Sequence, residues 1–258
     1  MKTFEQLGLD QELLTTIKKL GFTTPTQVQE LSIPIILKGK DVIGESATGS
    51  GKTLAFGCGI VKKVIPNESL QSLILTPTRE LAEQVKDSLR ELARGKRLNI
   101  IAVYGGVSMT DQIKALRNAD VVVATPGRLL DHIRRRTIKT SKIKLLVIDE
   151  ADRMFDMGFQ KDVERIIRNC PHDRQTLFFS ATIPPGIMNF ANRHMNGPEK
   201  IFAEKMVEPE KLKQTYLNTT RGMKFYKLTE LLQKEKSSLA MVFCNSRRAT
   251  DYVVRHLR

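Results

Sequence analysis

Cysteine is scarce in this chain and scattered: Cys58, Cys170 and Cys244 are the only three among 258 residues. Their spacing excludes a CxxC redox pair and a cysteine zinc cluster, and a sparse, odd set fits a reducing compartment. All three are expected to be buried spectators. The four histidines, His132, His172, His194 and His256, have no metal-ligand spacing either, so no zinc site is expected. No apolar run approaches the roughly 20 residues needed to span a bilayer. The opening Met1–Gln6 does not read as a signal peptide. The expectation is a soluble, cytoplasmic protein without a membrane partner. Internal repeats, low-complexity tracts and heptad seams are also missing.

Acidic residues are in deficit, 28 against 42 Lys and Arg, for a formal charge of +14. Such an excess points to a polyanionic partner, either nucleic acid or an acidic membrane surface; a basic surface kept for solubility explains it equally well. The 41 % hydrophobic content is ample for a core. Arg134–Arg136 with Lys139, Lys142 and Lys144 read as a solvated loop, with contact to a nucleic acid as the alternative.

Short apolar runs read as buried strands: Val42-Ile43, Leu73–Leu75, Ile100–Val103, Val121–Val123, Leu145–Ile148 and Leu177–Phe179. Helical patterns separate most of them. Asp10 caps one with an apolar face of Leu13, Leu14, Ile17 and Leu20 and a stop at Gly21. Thr78 precedes another, burying Leu81, Val85, Leu89 and Leu92. Thr125-Pro126 supplies a cap and a first-turn proline before Leu129 and Leu130. This alternation predicts an α/β fold with a mostly parallel sheet covered on both faces. Residues 1–202 form the expected first domain and 203–215 a charged linker. Residues 216–258 read as an incomplete second α/β domain, with a helix around Phe225–Leu232, a strand over Leu239–Phe243 and a helix through Val253, Val254 and Leu257.

Two segments carry chemistry. After the strand at Val42-Ile43 comes Ser46-Ala47-Thr48-Gly49-Ser50-Gly51-Lys52-Thr53. Its glycines let backbone amides face a phosphate at a helix N-terminus; Lys52 reaches the β- and γ-phosphates, and the Thr53 hydroxyl serves magnesium. The usual pattern has glycine where Ser46 stands, so a chance glycine-rich turn is the alternative. Asp149-Glu150-Ala151-Asp152 ends the strand Leu145–Ile148. Three carboxylates in four residues are expected at an exposed C-terminal strand end, where open α/β sheets bind ligands. Asp149 fits a metal-holding acid and Glu150 a group that polarises water for attack on the γ-phosphate. A solvated acidic helix start is the bland reading, and suffices for Asp152.

Eight segments stand in the order seen in DEAD-box RNA helicases, and the sequence resembles that family throughout. They are Gly21–Gln29, Ser46–Thr53, Pro77-Thr78-Arg79-Glu80-Leu81-Ala82, Gly105-Gly106, Thr125-Pro126-Gly127-Arg128, Asp149–Asp152, Ser180-Ala181-Thr182 and Val242–Arg247. The resemblance implies a RecA-like P-loop domain followed by part of a second. In the family, ATP and RNA bind across the cleft between two such domains. It implies ATP and Mg2+ as cofactors and RNA, held by its backbone, as partner. By resemblance, Phe22 stacks on adenine, Gln29 reads its edge, and Thr48, Gly49, Ser50, Gly51, Lys52 and Thr53 hold the phosphates. Phe4 resembles an aromatic that supports this loop, though a core role accounts for it as well. Lys52, Asp149 and Glu150 are the implied catalytic set, with Thr53 and Asp149 on the metal.

Pro77, Thr78, Arg79, Gly105, Gly106, Thr125, Pro126, Gly127 and Arg128 are the implied RNA-binding set. Asp152, Ser180 and Thr182 are the implied coupling set. Thr125-Pro126 serves as well as a plain helix start, and Ser180 and Thr182 as plain caps. The resemblance implies an ATP-dependent RNA helicase. An ATP-gated RNA clamp and a DNA-directed helicase or translocase remain as other readings. No His-Arg-x-Gly-Arg run, the family's arginine-finger element, follows among these residues. Slow hydrolysis without unwinding is therefore expected of these 258 residues, with the rest of a second domain needed for full activity.

Overall fold

Each of the six apolar runs is a strand. The computed structural model describes residues 2–203, 213–235 and 239–257. The strands are β1 (Val42–Glu45), β2 (Ser72–Leu75), β3 (Ile100–Val103), β4 (Val121–Ala124), β5 (Leu145–Ile148) and β6 (Gln175–Ser180), joined by β7 (Glu199–Phe202). They form one sheet in the order β3-β4-β2-β5-β6-β1-β7. Every pairing is parallel, as crossover helices require. This is the RecA-like architecture.

Strand residues alternate between the two faces, with period 2. Val42, Ile74, Val121, Val123, Leu145, Val147, Leu177 and Phe179 pack on one side. That side is covered by α1 (Gln11–Lys19), α2 (Gln27–Leu37), α3 (Lys52–Lys63) and α4 (Arg79–Leu92). Ile43, Leu73, Leu75, Val122, Leu146, Ile148 and Phe178 face the other side. There they meet α5 (Met109–Leu116), α6 (Pro126–Arg134), α7 (Ala151–Asp156), α8 (Gln160–Arg168) and α9 (Pro185–His194). Both faces are dry, which is why the strands read as unbroken apolar runs.

Helix ends follow local chemistry. The Asp10 carboxylate accepts the Leu13 N–H at 3.0 Å, and Gly21 turns the chain out of α1 at φ +84°. Thr78 caps α4 through the Leu81 N–H at 3.3 Å. Thr125 does not cap α6 with its side chain; Pro126 at the first turn starts that helix on its own fixed φ.

Two corrections concern strands. β7 is absent from the expected set because only Ile201 of its four residues is buried, so it carries no apolar run. Its place is fixed by backbone pairing to β1. The strand expected over Leu239–Phe243 does not form: Leu239, Met241 and Phe243 are 85 %, 75 % and 88 % exposed. An apolar run becomes a strand only with a neighbour to pair with, and none of the described residues pairs with this one.

The chain divides into two compact units, Met1–Met206 and Val207–Arg258. Most of the expected linker, residues 204–212, lies outside the described residues. In the second unit, α10 (Lys224–Glu235) and α11 (Arg247–His256) form where helices were expected. They meet through Phe225, whose ring lies 5.3 Å from Tyr252 in a T-shaped contact. Cys58 and Cys170 are buried, with the Cys58 thiol pushed up to about 12 by burial and made inert, whereas Cys244 is half-buried. No helix among the described residues is long and apolar enough to cross a membrane.

Candidate functional site

Sheet order decides which motifs become neighbours. The loop Ser46–Gly51 leaves the C-terminal end of β1, the Ser180–Thr182 segment leaves β6, and Asp149–Asp152 leaves β5. These three strands are consecutive. Pro77–Arg79 follows β2, Thr125–Arg128 follows β4 and Gly105-Gly106 follows β3; those strands complete the row. All six segments share one edge of the sheet, with phosphate-loop and acidic elements at one end and the expected backbone-gripping elements at the other.

The loop is braced from below. Gly49 and Gly51 take φ +80° and +92°, which a side chain would strain. A Cβ on Gly51 would sit 2.3 Å from Gln29 Nε2. That close approach has a purpose: Gln29 Nε2 donates to the Gly51 carbonyl at 3.0 Å, and Thr26 Oγ1 donates to the Ser50 carbonyl at 2.7 Å. Gln29 Oε1 also accepts the Thr26 N–H at 2.9 Å, so both ends of this buried amide hold protein backbone. Phe22, by contrast, is 45 % exposed. Phe4 is buried in the core.

Ser46, the departure from the usual loop pattern, is accommodated by its partners. Its hydroxyl accepts from Ser50 Oγ at 3.1 Å, and its N–H donates to the Ser180 carbonyl at 3.0 Å. Thr48 and Gly49 are exposed at the loop tip, while Lys52 is buried with Nζ 3.1 Å from the Ser46 carbonyl. Thr53 is half-buried in the first turn of α3.

The acidic cluster ends β5 as expected but is not exposed there. Asp149 is 3 % and Glu150 8 % accessible. Burial pushes the Asp149 carboxyl up to about 6, against the pull of the Lys52 ammonium, and the Glu150 charge pushes the same way as burial. The Asp149 carboxylate accepts the Glu150 N–H at 3.0 Å. Glu150 itself is left-handed, φ 50° and ψ 51°, a conformation costing a non-glycine residue about 1–3 kcal/mol. Arg153 pairs with its carboxylate at 3.2 Å.

Asp152 goes beyond a solvated helix start. Its carboxylate accepts the Thr182 N–H at 2.9 Å and Thr182 Oγ1 at 3.0 Å; its own N–H donates to Ser180 Oγ at 3.1 Å. Partial burial works to raise its pKa, and these bonds, with the Arg153 N–H, hold it below the ordinary value. The three residues expected to couple the motifs are therefore bonded to one another.

At the other end, Arg79 is exposed and pairs with Glu80 at 2.6 Å. Pro77 is buried at the end of β2, Thr78 is spent on its cap, and Gly105, Gly106 and Gly127 are exposed. Arg128 Nη1 donates to the Val107 carbonyl at 3.0 Å and to Gln112 Oε1 at 3.3 Å. Gln112 and His132 were not anticipated. Both are buried, and His132 Nε2 lies 2.8 Å from Gln112 Oε1. The signal available was spacing alone: His132 falls four residues after Arg128, on the same helix face.

A cavity of about 970 Å3 opens at the opposite edge of the sheet, around Lys63, Gln71, Lys144 and Gln175. None of the expected site residues lines it. Chemistry and topology both favour the C-terminal edge as the functional one.

Comparison with known proteins agrees with this geometry. Residues 26–190 match the family model described as DEAD/DEAH box helicase. The protein named DEAD-box ATP-dependent RNA helicase CshA from Geobacillus kaustophilus is 44 % identical over 97 % of this chain and 54 % of its own length. Its Bacillus subtilis counterpart is 43 % identical over 96 % of this chain and 51 % of its own length. The chain thus spans about half the length of these curated relatives. Among solved structures, a DEAD box protein from Methanococcus jannaschii superposes with a TM-score of 0.76 at 39 % identity, covering 99 % of this chain and 69 % of that one. A hypothetical ATP-dependent RNA helicase from Sulfolobus tokodaii gives 0.70 at 40 % identity, over 76 % and 57 %. By that family match and these relatives, the chain belongs to the DEAD/DEAH box helicase family.

Proposed function

We propose that this chain is the ATP-binding and RNA-gripping part of an ATP-dependent RNA helicase. The observation that supports the reading is the row of strand ends, in which the glycine-rich loop Ser46–Thr53, the acidic pair Asp149-Glu150 and the segments after β2, β4 and β3 share one sheet edge. Lys52 binds the β- and γ-phosphates, and amides of Thr48–Gly51 surround them. Glu150 orients a water in line with the γ-phosphorus and takes its proton. Phe22 stacks on the base. Gln29 supports the loop and meets the adenine edge through the second bonding directions of its amide.

Asp149 and Thr53 suit magnesium. A buried carboxylate whose pKa is raised by desolvation gains from a nearby cation, and the Thr53 hydroxyl in the first turn of α3 adds a neutral oxygen. Among the described residues no three His, Cys, Asp or Glu side chains converge. Phosphate oxygens and water would then complete the shell, as Mg2+ prefers. When bound, it neutralises charge on the transferred phosphoryl group.

Arg79, Arg128 and the amides of Gly105, Gly106 and Gly127 contact RNA phosphates, giving grip without base preference. Asp152, Ser180 and Thr182 couple the two ends. They sit at and just past the ends of β5 and β6, between the loop after β1 and the segment after β2, and the Ser46 N–H to Ser180 carbonyl bond joins them to the loop.

The test is ATP hydrolysis by this chain with and without single-stranded RNA or DNA, for wild type and Glu150→Gln. RNA stimulation that Glu150→Gln abolishes is expected. Equal stimulation by DNA would make it a DNA-directed enzyme, and hydrolysis unchanged by the substitution would overturn the site.

A further inference from the structure

We propose that Gln112 and His132 are positioning residues for RNA: a buried amide–imidazole pair that aims Arg128 and locks the Gly105-Gly106 loop beside it. The inference rests on the RNA-gripping role proposed for Arg128 and adds two residues that no motif contains.

The side chain of Gln112 has one acceptor, and both of its neighbours there are aimed at it. Oε1 lies 2.8 Å from His132 Nε2 and 3.3 Å from Arg128 Nη1. An amide oxygen only accepts, so His132 carries its proton on Nε2. Its Nδ1 then accepts from Thr137 Oγ1 at 2.8 Å. Burial, followed by the nearby Arg128 charge, holds the His132 pKa below the ordinary value, which keeps the ring in this neutral form at neutral pH.

The other end of Gln112 closes the loop. Nε2 donates to the Tyr104 carbonyl at 2.9 Å, the residue immediately before Gly105. Arg128 reaches the same loop from the far side by donating to the Val107 carbonyl at 3.0 Å. Gly105 and Gly106 therefore sit between two carbonyls tied, through one amide and one guanidinium, to the first turns of α6. Gly106 is exposed and adopts φ +89°, a turn that glycine takes without strain.

His132 is fully buried and Gln112 nearly so, so neither touches a ligand. What they control is the direction of Arg128. Both of the hydrogen bonds that Arg128 makes to the protein run through Nη1, so Nε and Nη2 of this half-buried side chain are left to meet a phosphate. Without the Gln112 oxygen the guanidinium swings among rotamers and the loop loses its tie.

A double-mutant cycle tests this. His132→Phe keeps a ring and removes the N–H; Gln112→Met keeps length and removes all three of its side-chain hydrogen bonds. Each is made in the wild type and in an Arg128→Ala background. Single-stranded RNA affinity is measured, with the thermal transition and ATP affinity as checks on folding. In the wild-type background each substitution is expected to raise the RNA dissociation constant about tenfold. In the Arg128→Ala background His132→Phe should change it less than about twofold, and Gln112→Met should keep only the smaller loss that comes from its Tyr104 tie. His132→Gln, which returns an N–H toward Gln112, should restore most of the affinity.

Equal losses in both backgrounds would overturn the positioning role and leave a plain packing effect. So would unchanged RNA affinity with Arg128 present. If Arg128→Ala alone leaves RNA affinity intact while Arg79→Ala reduces it, the grip stands, but this inference and the part given to Arg128 fall. If neither arginine matters, the RNA reading itself fails.

Discussion

At the scale of the residue, Asp149 sets function against stability. Its carboxyl is fully buried and raised from 3.8 to about 6. A folded-state pKa above the unfolded value means the folded chain binds the proton more tightly, so this group's contribution falls as pH rises from about 4 to 6. The cost at pH 7 is about 3 kcal/mol, an order-of-magnitude figure. Asp149→Asn should therefore raise the stability of the nucleotide-free protein at pH 7.5 by about 1–3 kcal/mol and leave it nearly unchanged at pH 4. Chemical denaturation at the two pH values measures it; a gain independent of pH would mean the carboxyl is not the cause. The same variant should lose magnesium-dependent nucleotide affinity. Glu150 is the complementary case. Its side chain is aimed by a left-handed backbone and an Arg153 pair. Glu150→Gln preserves shape, so ATP affinity should hold within about twofold while turnover falls by at least about 100-fold, the usual loss for a proton acceptor. Single-turnover hydrolysis separates the two quantities. A matching loss of affinity would reassign Glu150 to ligand binding.

Elements differ in how plainly the sequence announces them. Six strands and the phosphate-loop helix were legible because a strand covered on both faces has to be an apolar run, and a loop that turns amides toward phosphate has to carry glycine. β7 was not, since an edge strand paired on one side needs little apolar surface. Leu239–Phe243 failed in the opposite sense, with the right pattern and no pairing partner among the described residues. Gln112 and His132 were missed for a third reason: a buried polar pair is defined by a contact between α5 and α6, and the spacing of Arg128 and His132 within α6 does not name Gln112. α3 shows what packing hides as well. Glycine inside a helix usually costs about 1 kcal/mol against alanine, so Gly59→Ala would look favourable by propensity alone. Here a Cβ would lie 2.4 Å from Ile36 Cγ2, on a fully buried branched side chain of α2. Overpacking of this kind costs about 1–3 kcal/mol and should outweigh the gain. Gly59→Ala is thus expected to lower the urea midpoint without changing its slope. A raised midpoint would show that α2 and α3 are free to part.

For the whole molecule, the question left by composition is where its +14 charge acts. A basic surface that is merely soluble and one that grips RNA look alike by net charge, yet they differ in how binding responds to salt. Each phosphate neutralised on a single strand adds about −0.7 to the slope of log affinity against log salt concentration. Arg79 and Arg128 are the cations proposed to grip RNA along the sheet edge. The partner of Arg79, Glu80, is an exposed neighbour whose ion pair is worth little and yields readily to a phosphate. Removing both arginines should weaken RNA binding at every salt concentration and make the slope shallower by about 1.4. Replacing Arg134 and Arg135 instead, at the end of α6 and away from that edge, should leave the slope within error of wild type. Filter binding of a single-stranded RNA over a series of potassium chloride concentrations reads all three slopes. If the Arg79 and Arg128 variant keeps the wild-type slope while the Arg134 and Arg135 variant loses it, the RNA is held by diffuse charge elsewhere, and the strand-end row is a nucleotide site alone.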